Sequence, residues 1–450
     1  MMLNKILKFI RNPFNRGNDV LENAGTRSDQ SFWASARKQF RKNRIAVFSV
    51  RFLYFLIFIA LLADVISNEK PLMCKYQGSI YFPVFRSYAV DIGVANWQKE
   101  LQNVDWKELK YDWSIFPPIP YLPKNLDDKN VHSIGPFDAQ DVRSTQWHHW
   151  LGTDELGHDV MAAMIHGTRT ALLVGVVSMS IAALIGIFLG SLAGYFGDDK
   201  LKVSRSSIIF GTFFVLLALF YGFATRSYIL RDALAESLFG FLFQLLISIL
   251  ICAAVLLFGR VITAPLKLIP YFAKKINVPL DIIVSRIIEV MLSIPTLFLI
   301  ISISAIIEKP SIFYVMVIIG LTSWTGIARF IRAELLRVRN LEFIEAAHAL
   351  GFSEMRIIFR HAIPNSLSPV FISIAFGVAS AILIEATLSF LGIGVPAETL
   401  TWGSLLSAAR QTPTAWWLAI FPGFAIFITV TIFNLAGEGL TDALDPRLRK

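Results

Sequence analysis

Charge is what this sequence of 450 residues lacks most: 17% are Asp, Glu, Lys or Arg, against 55% hydrophobic. Soluble domains carry about a quarter charged residues, which excludes an ordinary water-soluble enzyme and a disordered scaffold. Cysteine is nearly absent too. Cys74 and Cys252 are too few for a disulfide framework or a zinc cluster. No Gly-x-x-x-x-Gly-Lys-Ser/Thr stretch, the loop that cradles nucleotide phosphates, is present, so the chain is not expected to hydrolyse ATP itself. No period of 20–50 residues recurs, which excludes a solenoid.

Long apolar runs are abundant. About 20 helical residues span a bilayer, and eight stretches are expected to do so: 45–66, 170–194, 207–223, 237–258, 287–307, 312–328, 366–394 and 416–436. The 37 Phe and 10 Trp suit lipid contact and interface belts. No small-x-small cleavage site follows the first run, so it reads as a retained anchor and not a signal peptide. Met73 before Cys74 departs from a lipoprotein box. The fold class is all-α integral membrane.

With the amino terminus taken as cytoplasmic, 28 of the 42 Lys and Arg lie on the cytoplasmic side, in 1–44, 195–206, 259–286, 329–365 and 437–450 and at Arg51. Such a bias orients membrane proteins. The net charge of +9 is then topological, and nucleic acid is not expected as a partner. Both termini are expected inside, with an extracytoplasmic segment at 67–169 and a cytoplasmic loop at 329–365. An inverted-repeat carrier would show broken segments at matching positions in two halves, and no such halves align.

That loop carries the densest signal. Asn340 is expected to cap a helix, with Glu342 and Glu345 in its first turn, where the macrodipole favours negative charge. Ala346, Ala347 and Ala349 keep the helix thin, and Gly351 stands where a helix ends in a left-handed residue. Ser353 is expected to cap a second helix ending at Pro364. A thin helix–turn–helix can enter a partner's cleft.

Glu345-Ala346-Ala347, three further residues, Gly351 and then Ile363-Pro364 resemble the EAA loop of ATP-binding-cassette importer permeases. Trp150-Leu-Gly-Thr-Asp-Glu-Leu-Gly-His-Asp159 and Gly167-Thr-Arg-Thr170 resemble the segment before the second family helix of the dipeptide/oligopeptide permeases. Ser293-Ile-Pro295, Glu385, Leu388-Ser-Phe-Leu-Gly392, Asp442-Ala-Leu-Asp-Pro-Arg447 and the basic stretch from Phe32-Trp33 to Arg44 are similar to the C-type subunit. Asn68 to Leu72 and Tyr76 to Pro83 resemble the microcin-C-type branch.

The resemblance implies a six-helix type I permease core in a bacterial inner membrane, with an inserted transmembrane hairpin at about 198–280 and an extracytoplasmic lobe. It implies no cofactor. Its partners would be a second homologous permease in a heterodimer, two ATPase subunits, an extracytoplasmic solute-binding protein, membrane lipid and a peptide-like substrate. Nickel chelates and glutathione remain open as alternative cargo, and a secondary carrier as an alternative mechanism. Glu345, Ala346, Ala347, Gly351, Ile363 and Pro364 would form the ATPase-coupling site, and Glu385, Gly377 and Ser380 would face the translocation pathway. His158 stands where the family usually has Arg.

Several other residues invite chemistry. His148, His149 and His158 with Asp154 and Asp159 lack a firm ligand spacing, so metal is not expected, and Thr153-Asp154 are read as a helix cap. Glu289, three residues past Arg286, suggests an ion pair. Glu385 lies about 28 Å along its helix from Ser366 at 1.5 Å per residue, facing either the pathway or a neighbouring helix. Gly377, Ala379, Ser380 and Ala381 permit close packing. Pro295 and Pro422 are expected to kink their helices.

Overall fold

Inside hydrocarbon every backbone N–H and C=O must be bonded within the protein, which favours helices. The computed structural model describes residues 32–444, except 92, 99–100, 102–103, 237, 307–310, 395 and 397–398. The segment before residue 32 and the last three residues of the Asp442–Arg447 motif lie outside the described residues. Among the described residues, seven helices are long and apolar enough to cross a membrane. A bent pair makes an eighth crossing if counted as one span.

The helices in chain order begin with α1 (Phe32–Lys42), α2 (Arg44–Leu61), α3 (Pro83–Asp91) and α4 (Val160–Ser191). The inserted segment supplies α5 (Arg205–Leu219), α6 (Ser227–Glu236) and α7 (Leu238–Thr263). Then come α8 (Leu280–Ser293), α9 (Thr296–Ile306), α10 (Ile312–Val338), α11 (Glu342–Ala349), α12 (Glu354–Ile357) and α13 (Ile363–Ser366). The chain closes with α14 (Ser368–Phe390), α15 (Trp402–Gln411) and α16 (Trp417–Leu444).

Several boundaries differ from the sequence expectation. Helix α4 starts at Val160, ten residues before the expected 170, because Asp159 caps it by accepting from the Ala162 N–H. Its polar first turns are satisfied by the end of α2 and the residues after it: His166 Nε2 lies 3.0 Å from the Ser67 carbonyl, and Arg169 donates to the Ala60 carbonyl and to Asp64. Helix α10 runs to Val338, so it takes the first ten residues of the expected loop 329–365. The expected span 287–307 is two helices, α8 and α9, bent by 84° across Ile294-Pro295, where the residue before proline is driven out of the helical region. Helix α16 carries Pro422 inside it and continues to Leu444, past the expected end at 436.

Packing centres on α4 and α10. Gly186, Gly190 and Gly194 recur every four residues along one face, and α10 lies so close that a Cβ on Gly190 would sit 2.1 Å from Ile331 Cγ2. Without a hydrophobic drive between helices in lipid, such small-residue stripes let backbones approach and gain van der Waals contact. Ile327, Ile331 and Leu335 of α10 are fully buried there. Near the chain ends, Asn43 Nδ2 donates to Asp442 of α16 over 3.3 Å.

Residues 205–263 form a helical hairpin, α5 against α7, with α6 between. Gly259 lies against Phe214 and Gly222 against Cys252. Its base is closed by two short antiparallel strands, Lys202–Ser204 and Lys275–Asn277. At the other end of the bundle, the segment between α2 and α4 makes a lobe. Its three-stranded sheet has Met73–Tyr76 between Ser79–Tyr81 and Trp113–Ile115. Ile119 and Tyr121 pack on Ala162 of α4, and Trp417 Nε1 donates to the Thr153 carbonyl over 3.0 Å.

Candidate functional site

The residues after α10 fold into a tight helical hairpin. Helix α11 opens at Leu341 without a side-chain cap. Asn340, expected as that cap, instead donates to the Leu336 carbonyl, one turn back along α10. The carboxylates of Glu342 and Glu345 fall in the first turn. At its end the Gly351 N–H donates to the His348 carbonyl at 2.9 Å, and the Phe352 N–H to the Ala347 carbonyl at 3.2 Å. Those two bonds are a Schellman closure, which requires a left-handed residue at Gly351, and its φ is +74°.

Ser353 sits at the N-cap position of α12 without a side-chain bond to it. The second helix does not stop at Pro364. It passes through a widened turn, Ile358–Ala362, into α13. Pro364 then lies in the first turn of α13, where a missing N–H leaves no intrahelical bond broken.

The alanine motif is divided between two faces. Ala347 and Ile344 are buried among Leu335, Val338, Ile357 and Ile358, while Glu345 and Ala346 are exposed. Ile363 is half-buried and Pro364 exposed. The outer face also presents large apolar side chains: Phe343, Leu350, Met355 and Phe359 are 41%, 73%, 59% and 63% exposed. These four are not among the residues expected from the sequence, although Phe343 and Leu350 flank Ala346 at helical spacing and Met355 and Phe359 share one face.

Polar bonds tie the hairpin to the bundle. The Tyr195 hydroxyl, at the end of the α4 helical run, donates to Glu354 Oε2 over 2.6 Å. His348 Nδ1 lies 3.5 Å from the same carboxylate. The Lys200 ammonium sits 4.8 Å from the Tyr195 ring centre, and burial holds its pKa below the usual lysine value despite the nearby Glu354. Arg332 of α10 grips Asp281 of α8 through two hydrogen bonds. Helices α11 and α12 are thus joined to the end of the α4 helical run through Tyr195, and to α10 through the chain itself and through Ile344.

The three residues named for a pathway do not share one face. Ser380 is exposed and its hydroxyl donates to the Phe376 carbonyl. Gly377 faces Met179 of α4. Glu385 is 2% exposed, and the Ser389 hydroxyl donates to it over 2.6 Å. Arg286 and Glu289 form an exposed ion pair on α8.

The lobe histidines serve as hydrogen-bonding struts. His149 is fully buried, with Nδ1 2.8 Å from Asp159 and Nε2 3.1 Å from Asp127, and its ring lies on Tyr121 at 4.3 Å. Burial disfavours its charge, but the two carboxylates outweigh that and raise its pKa above the ordinary histidine value. Burial likewise opposes ionisation of Asp127, yet hydrogen bonds from His149, Asn130 and the Lys129 N–H bring its pKa to about 2. His158 pairs with Asp154 at 2.7 Å, and His148 meets Trp150 edge-on. Thr153-Asp154 do not cap α4. Asp154 instead accepts from the Leu156 and His158 N–H groups, and Asp159 takes the cap. No metal-holding group of three or more His, Cys, Asp or Glu occurs among the described residues.

Comparison with known proteins covers both ends of this arrangement. Residues 268–450 match the family described as the binding-protein-dependent transport system inner membrane component. Residues 31–79 match the N-terminal TM domain of oligopeptide transport permease C. The chain is 27% identical to the inner membrane ABC transporter permease protein YejE of Escherichia coli, across 93% of this chain and 97% of that one. It is 26% identical to the peptidoglycan transport system permease protein YejE of Agrobacterium fabrum, across 91% and 92%. It is 30% identical to the dipeptide transport system permease protein DppC of Alkalihalophilus pseudofirmus, across 67% and 73%. With the projecting helical hairpin, the spans around it and these matches together, the chain belongs to the dipeptide/oligopeptide C-type family of ATP-binding-cassette importer permeases.

Proposed function

We propose that this chain is the membrane-spanning permease of an ATP-driven importer for peptides or similar small solutes, and that residues 340–366 are the lever through which a separate ATPase moves it. The observation that carries the proposal is the two-sided hairpin. Its inner face is fixed by Ile344, Ala347 and the Tyr195–Glu354 bond, while its outer face offers Phe343, Ala346, Leu350, Met355 and Phe359. Outside the spans an apolar face of this kind marks a protein contact, and exposed Glu345 adds charge at its edge. The peptide and peptidoglycan cargo named for the relatives supports a peptide-like solute.

In this reading the hairpin and both termini are cytoplasmic, and the lobe faces a solute-binding protein on the other side. A second, homologous permease completes the route, and two ATPase subunits supply hydrolysis, since the sequence carries no phosphate loop. ATP binding closes the ATPase pair and pushes α11. The push passes to α4 and α10, and the 84° bend between α8 and α9 supplies a hinge. Ser380 borders the route, Gly377 packs α14 on α4, and Glu385 lies buried beside α15.

Uptake of a labelled peptide into cells or proteoliposomes, with ATPase and binding protein co-expressed, tests the proposal. Uptake is expected to stop on ATP depletion and to survive collapse of the proton gradient at constant ATP. Uptake that follows the ion gradient and needs no ATPase would make the chain a secondary carrier.

A further inference from the structure

The hairpin at residues 198–280 has an unusual base. The paired strands bring two distant segments together, with Lys202 opposite Asn277, Ser204 opposite Lys275, and the Arg205 N–H donating to the Lys274 carbonyl over 3.1 Å. Six cationic side chains gather there: Lys202, Arg205, Arg260, Lys267, Lys274 and Lys275. Five are exposed and Arg205 is half-buried. Among the described residues none of the six forms an ion pair. Of the acidic residues that flank the strands in sequence, Asp281 bonds Arg332 and Asp198 accepts from the Ile282 N–H, while Asp199 is exposed.

Between these charges, Pro265–Leu268 and Pro270–Ala273 make two short turns that follow directly on the apolar helix α7. They expose Leu268 at 85%, Ile269 at 46% and Tyr271 at 62%. The Arg205 guanidinium lies 4.6 Å from the Tyr271 ring centre. An aromatic and aliphatic step flanked by lysines, at the end of a spanning helix, has the chemistry of the bilayer interface, with rings at headgroup depth and ammonium groups on phosphate. Four to eight Lys or Arg clustered immediately beyond the cytoplasmic end of a spanning helix attract anionic lipid headgroups.

We propose that the base of this hairpin is a binding site for anionic phospholipid, the headgroup phosphate held by Lys202, Lys267, Lys274 and Lys275 and the acyl chains lying along α7. The site connects to α10, the helix that leads into the coupling hairpin. Arg332 of α10 is bonded to Asp281 at the start of α8, directly after the base. Bound lipid therefore steadies the support of the lever. The site is independent of which solute the importer carries.

The test uses the intact importer complex in detergent, titrated with phosphatidylglycerol, phosphatidylcholine or glycerol phosphate, with retained lipid measured by native mass spectrometry and stability by Tm. Phosphatidylglycerol is expected to be retained at least about tenfold better than phosphatidylcholine and to raise Tm. The K202Q/K267Q/K274Q/K275Q variant should lose the preference, the matching Lys→Arg variant should keep it, and a Lys110→Gln/Lys124→Gln variant in the lobe should leave it unchanged. Equal retention of the two lipids by the natural sequence would overturn the proposal, as would an unaltered preference in the Lys→Gln variant. Displacement of the lipid by glycerol phosphate would show a free-phosphate site and overturn it as well.

Discussion

Gly351 offers the sharpest perturbation of the coupling hairpin. Its φ of +74° is a left-handed conformation, and a Cβ added there would meet nothing within 4 Å. The cost of a side chain is therefore conformational alone, about 1–2 kcal/mol for alanine and less for asparagine, which tolerates this region. Proline differs in kind. Its ring fixes φ near −65° and it has no N–H, so it also removes the 2.9 Å bond to the His348 carbonyl, for a total of about 3 kcal/mol or more. Because each 1.4 kcal/mol is about tenfold in an equilibrium, alanine should disfavour the native turn by about 5- to 30-fold and proline by about 100-fold or more. The turn lies outside the spans, so membrane levels should not change. The assay is ATP-driven uptake at matched membrane abundance for Gly, Asn, Ala and Pro at this position. The expected order is Gly, then Asn, then Ala, then Pro. Equal uptake by the Ala and Pro variants would refute the reasoning, because it would mean the closure of α11 is not what the partner grips.

Three further outcomes follow from other contacts. Tyr195→Phe keeps the ring but removes the donor to Glu354, about 1 kcal/mol, and should raise the ATP consumed per solute imported without lowering Tm by more than a few degrees. Gly190→Val should destabilise strongly, by about 1–3 kcal/mol or more from overpacking, since its Cβ would lie 2.1 Å from Ile331 Cγ2; Gly326→Ala, with open space around it, is the matched control and should be neutral in Tm. The His149 strut makes lobe stability pH-dependent. Its raised pKa, against 6.5 unfolded, means its contribution is complete below about pH 6.5 and fades as pH rises through the folded value. The lowered Asp127 pKa, against 3.8 unfolded, means a contribution complete above that value and lost as pH falls towards about 2. Protease resistance of the lobe should therefore be greatest between about pH 4 and 6.5, and Asp127→Asn should flatten both limbs.

The apolar runs were legible because hydrocarbon demands about 20 continuous residues, and seven of them emerged as spanning helices with the eighth broken at Pro295. Where the structure departs from the sequence pattern, a polar residue has a distant partner. His166 and Arg169 interrupt the apolar window but are satisfied by Ser67, Ala60 and Asp64, so α4 extends through them. Asn340 and Thr153-Asp154 have cap chemistry, yet caps are decided by where the chain turns, and Leu341 and Asp159 occupy those turns. Gly351 was readable because only a left-handed residue closes that turn. The burial of Ala347 beside the exposure of Ala346, and the Tyr195–Glu354 bond across 159 positions, depend on tertiary packing that spacing does not encode. The alternation of Gly186, Gly190 and Gly194 was visible as a four-residue repeat and was passed over, since hydropathy weighs glycine lightly.

Cross-linking from a single cysteine at Ala346, on the exposed face of α11, tests the central claim most directly. The account predicts that a membrane-impermeant thiol reagent reaches this cysteine only from the cytoplasmic side. It also predicts a cross-link to a nucleotide-hydrolysing subunit that shields the cysteine in the assembled complex. Labelling from the outside, or no cross-link to such a subunit in an importer that still transports, would contradict it.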